Sequence, residues 1–483
     1  MFEQAFKNID NKLRNDDGTS TALDYIEQTT WILFLRYLDQ IENDKEQEAI
    51  LKNENYNFIL EEKYRWNSWA MPKKADGKTD LNNAKTGIDL INFVNNDLFP
   101  YLASFKQKAS SPKTLEYKIG TIYSTVRNNL ENGYGLRDII ESIDDLKFAN
   151  SESRYELSVL YEERLNKMGN AGRSGGELYT PRPLIKAIID VVNPQIGETV
   201  FDPAAGSAGF LCACYEHMTK DRESLSTNDL NIIQEDTFFG KEKKKLPFIL
   251  GVMNMILHGI EAPNIVRTNT LEENLKDIQE KDRYDIILAN PPFGGDEDES
   301  VQNNFDFKSS ETAYLFLQYF IKSLKAGGRA GIIVKNTMLS NGDASSLRQH
   351  LLNSCNLHTI LHMPAKTFQG SGVNTVVLFL TKGKPTKRIW NYELDPGRSI
   401  GKTNPLNNND FEDFIKLQKT TDETEQSWVL NISDIDDTTF EINTKNPNKP
   451  EDDPLRSSQD ILDEMESLNL ETNNILARIR ELV

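Results

Sequence analysis

Only 3 cysteines occur in 483 residues, Cys212, Cys214 and Cys355, too few for a disulfide framework. The pair Cys212-x-Cys214 falls on an expected helix, where small apolar packing is the ordinary role, so no metal is assigned. Long hydrophobic runs are absent as well. The N-terminus reads Met1-Phe2-Glu3-Gln4 with no apolar leader, and the longest apolar run near it is Trp31-Ile32-Leu33-Phe34-Leu35. That run is far short of a membrane span, so a cytoplasmic location with no membrane partner is expected. Basic excess is also missing: 55 Lys and Arg stand against 74 Asp and Glu, a net charge of −19. Sequence-independent affinity for nucleic acid comes from cations neutralising phosphates, so this chain should bind DNA poorly alone. Action on DNA would therefore need a partner. Lys241, Lys243, Lys244 and Lys245 form one local basic cluster, which a solvated helix face explains equally well.

What is present points to an enzyme with a sizeable core: 38% of residues are hydrophobic, and the length suits two to three domains. The most informative stretch is Asn290-Pro291-Pro292-Phe293, directly after the apolar run Tyr284–Ala289 and so at the end of a buried strand. Strand ends are where α/β sheets place their chemistry. The Asn290 side-chain carbonyl and the Pro291 main-chain carbonyl form a rigid acceptor pair beside the stacking face of Phe293. Two carbonyls accepting from an exocyclic NH2 draw its lone pair out of conjugation and aim it at an electrophile. Read alone, the same residues also make a plain Pro-rich turn.

Upstream, Thr199-Val200-Phe201-Asp202-Pro203-Ala204-Ala205-Gly206-Ser207-Ala208-Gly209-Phe210 reads as strand, small-residue loop and helix. Gly206 and Gly209 let the backbone approach a ligand, and the helix from about Gly209 to Met218 points its N-terminal amides at the same space. Asp202 at the strand tip would accept from a cationic or hydroxylated ligand. The fuller G-x-G-x-x-G pattern of pyrophosphate cofactors is not there, which favours an amino-acid-bearing nucleoside such as S-adenosylmethionine. A third segment, Gly176-Glu177-Leu178-Tyr179-Thr180-Pro181-Arg182-Pro183, suggests a helix start, with Thr180 as N-cap and Pro181 at the first helical position.

In this order the three segments resemble the amino-group DNA methyltransferases of the γ class, specifically the methylation subunit of type I restriction-modification systems. The resemblance continues through Gly240-Lys241-Glu242, Met253–Ile260, Gly327–Ala330 with Asn336, Leu357–Ile360 and Thr375–Phe379, and covers roughly residues 165–400. It implies methyl transfer from S-adenosylmethionine to N6 of an adenine flipped out of duplex DNA, with Asn290, Pro291, Pro292 and Phe293 as the catalytic turn. Cofactor contacts are implied at Glu177, Tyr179, Thr180, Pro181, Asp202, Ala204, Gly206, Ser207 and Gly209, and at Glu242 for the ribose hydroxyls. Where the family usually has an Asp before Thr270-Leu271, this chain has Asn269. Its carbonyl can still accept from the cofactor's adenine amino group, with weaker binding expected. The implied partners are a separate specificity subunit, a second copy of this chain and an ATP-dependent restriction subunit.

The expected architecture is α/β: a Rossmann-like S-adenosylmethionine-dependent methyltransferase sheet, preceded by an α-helical domain and followed by a C-terminal helix. Residues 1–160 read as helical, with Phe2, Phe6, Ile9 and Leu13 at spacings of four, three and four. Asp16-Asp17-Gly18-Thr19-Ser20 breaks the pattern before a second helix through Tyr25, Trp31 and Leu38, and Lys73–Lys78 is a loop candidate. Within residues 165–400, strands are expected at Thr199–Asp202, Thr237–Phe239, Ile265–Arg267, Tyr284–Ala289, Arg329–Val334, Leu357–Met363 and Val376–Thr381. The last two should form an antiparallel edge pair, since no helix separates them. Residues 401–454 read as a variable region and linker. Residues 455–483 form a helix whose stripe Ile461, Met465, Leu468, Thr472, Ile475, Ile479, Leu482 suits a partner helix.

Gly294–Glu299, too polar to pack, reads as a mobile loop after the catalytic turn. Gly397-Arg398-Ser399-Ile400-Gly401-Lys402-Thr403 is one residue short of a phosphate-binding loop, so ATP binding is not assigned to it. The catalytic turn has no cysteine, which argues against cytosine C5 methylation through a thiolate adduct. Three alternatives stay open on sequence: a protein glutamine methyltransferase, cytosine N4 methylation, and a non-catalytic assembly subunit that keeps the fold.

Overall fold

The N-terminal part is helical because its apolar positions recur at helical spacing. In the computed structural model, which describes residues 2–74, 78–80, 82–146, 151–169, 179–368, 372–401, 403–449 and 458–482, the first helix is Phe2–Arg14. Its Phe6, Ile9 and Leu13 are all buried, as the spacing predicts. The break that follows is tightly held: the Asp16 carboxylate accepts from the amides of Gly18, Glu131 and Asn132. A Cβ on Gly18 would lie 1.7 Å from the Asn129 carbonyl oxygen, so backbone contact requires glycine there. Thr21 then caps the helix Ala22–Leu51, with Asp24 completing a capping box. Trp31 from this helix meets Phe99 edge-on at 5.0 Å inside a core that also buries Trp66 and Trp69.

The helix Ser151–Gly169 joins this part to the sheet. Its Tyr161 hydroxyl lies 3.0 Å from the Thr30 hydroxyl, and Arg164 grips the Asp10 carboxylate at 2.6 Å.

The sheet has nine strands: β1 Val200–Asp202, β2 Phe238–Glu242, β3 Asn264–Arg267, β4 Tyr284–Ala289, β5 Leu324–Lys335, β6 Cys355–His362, β7 Thr375–Lys382, β8 Arg388–Glu393 and β9 Ser427–Asn431. Their order is β3-β2-β1-β4-β5-β7-β6-β8-β9. The first five in that order run parallel, and β7 enters antiparallel against β5. The sheet is built outward in one direction from β1 to β3 and in the other from β4 to β5, so β1 and β4 flank the switch point where doubly wound sheets bind ligands. The four final residues of β4 are buried, which accounts for its unbroken apolar run.

All seven expected strands are present, with β2 running on to Glu242 and β5 starting earlier, at Leu324. The expected edge pair is corrected. Strands β6 and β7 are antiparallel, but β8 and β9 extend the sheet beyond them, so neither is an edge. Strand β8 hides from a period-two reading because four successive residues are buried and one of them is Asn391. The Asn391 amide oxygen lies 3.0 Å from the His362 ring on β6. Trp428 of β9 stacks on that same ring at 5.4 Å. Beyond the sheet, every described side chain of the helix Ser458–Leu482 is exposed, including Ile461, Met465, Leu468, Ile475 and Ile479.

Candidate active site

The carboxyl ends of β1 and β4 border a narrow cleft. From the predicted residues it gathers Tyr179 and Thr180, the loop positions Asp202, Ala204, Gly206, Ser207 and Gly209, and Asn290. One strand ends in the loop and the other in the Asn-Pro-Pro-Phe turn, so both motifs face one space.

The loop's backbone leaves little freedom. Gly206 has φ 52° and Ala208 has φ 60°, left-handed values that cost a residue with a Cβ about 1 kcal/mol or more. Ala208 accepts that strain where the chain turns into the helix Gly209–Met218. Glu242, the last residue of β2, braces the turn: its carboxylate accepts from the Gly206 amide at 2.9 Å and the Lys244 amide at 2.7 Å. Burial raises the Glu242 carboxyl above its usual range, against the pull of those amides. Glu242 therefore lies behind the loop, outside the cleft-lining set. Asp202 is buried at the strand tip, its carboxylate accepting from Ala204 at 3.0 Å. Burial pushes its pKa up to about 8, with the nearby Glu242 charge adding to the rise.

On the opposite wall, the Asn290 amide donates from Nδ2 to the Thr180 hydroxyl at 3.0 Å. Its Oδ1 is buried and has no hydrogen-bond partner among the described residues. A buried carbonyl without a donor costs about 1–3 kcal/mol, so it marks an acceptor held for something else. The expected capping by Thr180 is corrected here. The helix runs Arg182–Val192, its N-cap is Pro181 and no side chain caps it. Thr180 has its hydroxyl oriented toward Asn290 instead. Pro291 and Phe293 are buried and Pro292 half-buried. The Phe293 ring meets Phe368 edge-on at 4.9 Å and 70°.

Asn269 stands apart from the cleft. Its side-chain oxygen accepts from Leu271 at 3.3 Å and caps the short turn Thr270–Glu272. The next residue does reach the loop, Thr270 donating to the Pro203 carbonyl at 2.6 Å. Glu177 lies outside the described residues. Sequence reasoning missed Glu162, Arg182 and Asn254. Glu162 and Arg182 line the cleft as an ion pair, and Asn254 donates at 2.9 Å both to Glu162 and to the Ser207 carbonyl. All three lie on helices, and only tertiary approach gives them meaning. Phe368 could have been sought in the connection between β6 and β7, which leads back toward the catalytic turn.

The three cysteines are buried free thiols. Cys212 meets Glu162 and His258, with possible ligand atoms within 4.8 Å of one another. The His258 Nδ1 lies 2.8 Å from the Asn254 carbonyl, and Glu216 lies 3.3 Å from its Nε2. These contacts form a buried polar junction behind the cleft. Among the described residues, no helix is long and apolar enough to cross a membrane.

An acceptor kept ready for an N–H, opposite a loop shaped for close backbone approach, meets the needs of methylation at an exocyclic amine. The class is that of the amino-group methyltransferases. Residues 152–454 match the model of the N-6 DNA methylase family, and residues 2–143 match the HsdM N-terminal domain. The chain is 33% identical over 462 residues to the type I restriction enzyme EcoEI methylase subunit of Escherichia coli, spanning 92% of this chain and 90% of that one. A solved modification subunit from Vibrio vulnificus YJ016, assigned to a type I restriction enzyme, superposes with a TM-score of 0.82 at 34% identity, covering 92% of this chain and 96% of the other. A chain from a solved type I restriction-modification assembly gives a TM-score of 0.79 at 33% identity, covering 99% and 97%. The chain belongs to the N-6 DNA methylase family, among the methylase subunits of type I restriction enzymes. It is an adenine-specific DNA methyltransferase.

Proposed function

We propose that the chain methylates adenine N6 in duplex DNA with S-adenosylmethionine as donor, through the Asn290–Phe293 turn. The buried, unpartnered Asn290 Oδ1, fixed by the bond from its own Nδ2 to Thr180, carries this reading. The residues fit such a donor: the loop from Asp202 to Gly209 allows close backbone approach, and a carboxylate stands behind it at Glu242. Tyr179, Thr180 and Pro181 would hold the methionine end, and Asp202, Ala204, Gly206, Ser207 and Gly209 the middle. Glu242 and Asn269 lie outside the cleft and would act from behind it, Glu242 by bracing the loop and Asn269 by capping the turn Thr270–Glu272. When bound, the donor supplies an electrophilic methyl group.

The chain's own residues do the rest by positioning. Asn290 Oδ1 and the Pro291 carbonyl accept the two N6 hydrogens of a flipped adenine, which turns the nitrogen lone pair toward the methyl. Phe293 supports the base by its ring face. Flipping costs a few kcal/mol, offset by those contacts. The net charge of −19 leaves duplex affinity to partners: a specificity subunit that reads the target, a second copy of this chain and an ATP-dependent restriction subunit. The exposed apolar stripe of the helix Ser458–Leu482 suits a helix of the specificity subunit. The chromosome as substrate places the enzyme in the cytoplasm.

Mapping modified adenines in the native host tests this, comparing the normal gene with Asn290→Ala at equal protein level. Loss of N6-methyladenine at one split recognition sequence is the expected result. An unchanged methylome with both proteins expressed would sink the reading.

A further inference from the structure

Behind the cleft, three helices bring an imidazole, a thiol and two carboxylates to one buried point. His258 ends the helix Lys245–Leu257 as its C-cap, and its side chain is 1% exposed. Its Nδ1 lies 2.8 Å from the Asn254 carbonyl. A carbonyl can only accept, so Nδ1 carries the proton and Nε2 is the lone-pair nitrogen of the neutral ring. Nε2 is buried, and no hydrogen bond reaches it among the described residues. Around it stand Glu216 Oε1 at 3.3 Å and Glu162 Oε1 at 3.8 Å. The Cys212 Sγ completes the group, its ligand atom and those of Glu162 and His258 all lying within 4.8 Å of one another. Cys212 and Glu216 share one face of the helix Gly209–Met218. The spacing Cys212-x-Cys214 hides this set, because Cys214 is turned away from Cys212 by the helix.

Two carboxylates and an imidazole lone pair facing one point need a cation between them. A proton on Nε2 is one answer, pairing the ring with the carboxylates. It gives the Cys212 thiol no part and leaves Nε2 without an aligned acceptor. A divalent metal engages all four groups. Zn2+ takes thiolate, imidazole and carboxylate ligands at about 2.0–2.3 Å, which in a tetrahedron sets them about 3.5 Å apart, between the two separations seen at Nε2. The thiolate selects against hard cations such as Mg2+ and Ca2+. Neighbouring groups hold the ligands in place, as metal sites require. The Asn254 carbonyl sets the ring tautomer, its amide donates to Glu162 Oε1 at 2.9 Å, and Arg182 pairs with the other Glu162 oxygen. Charge balances too, Zn2+ and Arg182 against the thiolate and the two carboxylates. A groove lined by Tyr37, Ile41, Glu216 and His258 gives the ion an entry path. We propose that Cys212, His258, Glu162 and Glu216 bind one Zn2+, with the Cys212 proton released on binding. Four protein ligands make the site structural, a pin that ties the helix Ser151–Gly169 to the helices behind the glycine loop.

Metal analysis and cobalt spectroscopy of the full chain test the site without any turnover. Protein stripped by a chelator and then supplied with Zn2+ should keep about one equivalent through gel filtration. Co2+ in its place should show a thiolate-to-metal charge-transfer band together with the strong visible absorption of tetrahedral Co2+. Cys212→Ser is expected to lose the charge-transfer band and to weaken Zn2+ by about 100-fold or more, beyond the 10–100-fold typical of a residue that only supports a ligand. Glu216→Gln changes a half-exposed side chain and should weaken Zn2+ by about 10–100-fold. It carries the test if Cys212→Ser does not fold. A normal protein that keeps well under one equivalent would overturn the site and leave His258 as a protonated partner of the two carboxylates. Zn2+ held equally by the normal protein and both variants, or Co2+ bound without the charge-transfer band, would place the metal on other residues and overturn it as well. None of these results touches the reading of the donor or of Asn290.

Discussion

The two walls of the cleft use their polar groups in opposite ways. On the loop wall the key groups are already engaged within the chain: Asp202 accepts from Ala204, Glu242 from Gly206 and Lys244, and the Ser207 carbonyl from Asn254. On the turn wall the Asn290 amide is half used, its nitrogen bonded to Thr180 and its oxygen buried with no donor among the described residues. The first pattern gives a rigid shape, suited to holding a ligand in ground and transition states alike. The second holds back an acceptor, which contributes only once a substrate N–H arrives. Binding and chemistry should therefore separate by wall.

The sharpest way to break that division is Asn290→Ala. Methyl transfer in a single turnover should fall by about 100–1,000-fold, the scale of losing one preorganised group at a reacting centre, with the donor's dissociation constant nearly unchanged. An equal loss of donor binding would merge the two walls. Glu242→Gln probes the opposite side. Its amide can accept through one oxygen only, so the Gly206 or the Lys244 amide loses its partner. Donor affinity should weaken by about 10–100-fold, while transfer at saturating donor stays within a few-fold of normal, as read by binding and single-turnover assays in parallel. A smaller effect is expected from Thr180→Val, which keeps the side-chain shape but removes the acceptor for Asn290 Nδ2. The turnover number should drop by about 10-fold, the scale of one hydrogen bond, with the donor's KM rising only a few-fold, since Thr180 also borders the donor's methionine end; a shift in KM alone would assign Thr180 to binding only.

The legible and illegible parts of this molecule divide on the same physical line. Strands buried on both faces, such as β4, announce themselves as apolar runs, and the turn after each one inherits a place at the sheet's carboxyl edge. Asp202, Gly206, Gly209 and Asn290 were readable for that reason. Strand β8 was not, because its central Asn391 is buried through a partner on β6 that no local pattern shows. Thr180 before a proline looks like a helix cap, and only its approach to Asn290, 110 residues away, reveals the other use. Glu162 and Arg182 are charged residues on helices, ordinarily solvent-facing. Their meeting at the cleft depends on how the helix Ser151–Gly169 packs against the helix Lys245–Leu257 and on where the helix Arg182–Val192 begins, facts of tertiary structure.

The smallest expected effect tests whether the loop wall is finished before the ligand arrives. Burial holds the Asp202 carboxyl protonated up to about pH 8 in the folded chain, whereas in the unfolded chain it ionises near its ordinary value, about 4. Between these values the unfolded state has released a proton that the folded state keeps, so stability falls as pH rises through this window and the penalty is complete above about pH 8. Asp202→Asn cannot ionise and retains an oxygen for the Ala204 amide. Its melting temperature should match that of the normal protein near pH 4.5 and exceed it by a growing margin of a few degrees up to about pH 8, with no further growth beyond. Scanning fluorimetry across that range reads the margin directly. A margin that stays constant with pH would show that Asp202 is already ionised in the free enzyme, and that the loop wall, like the turn wall, carries a group awaiting its partner.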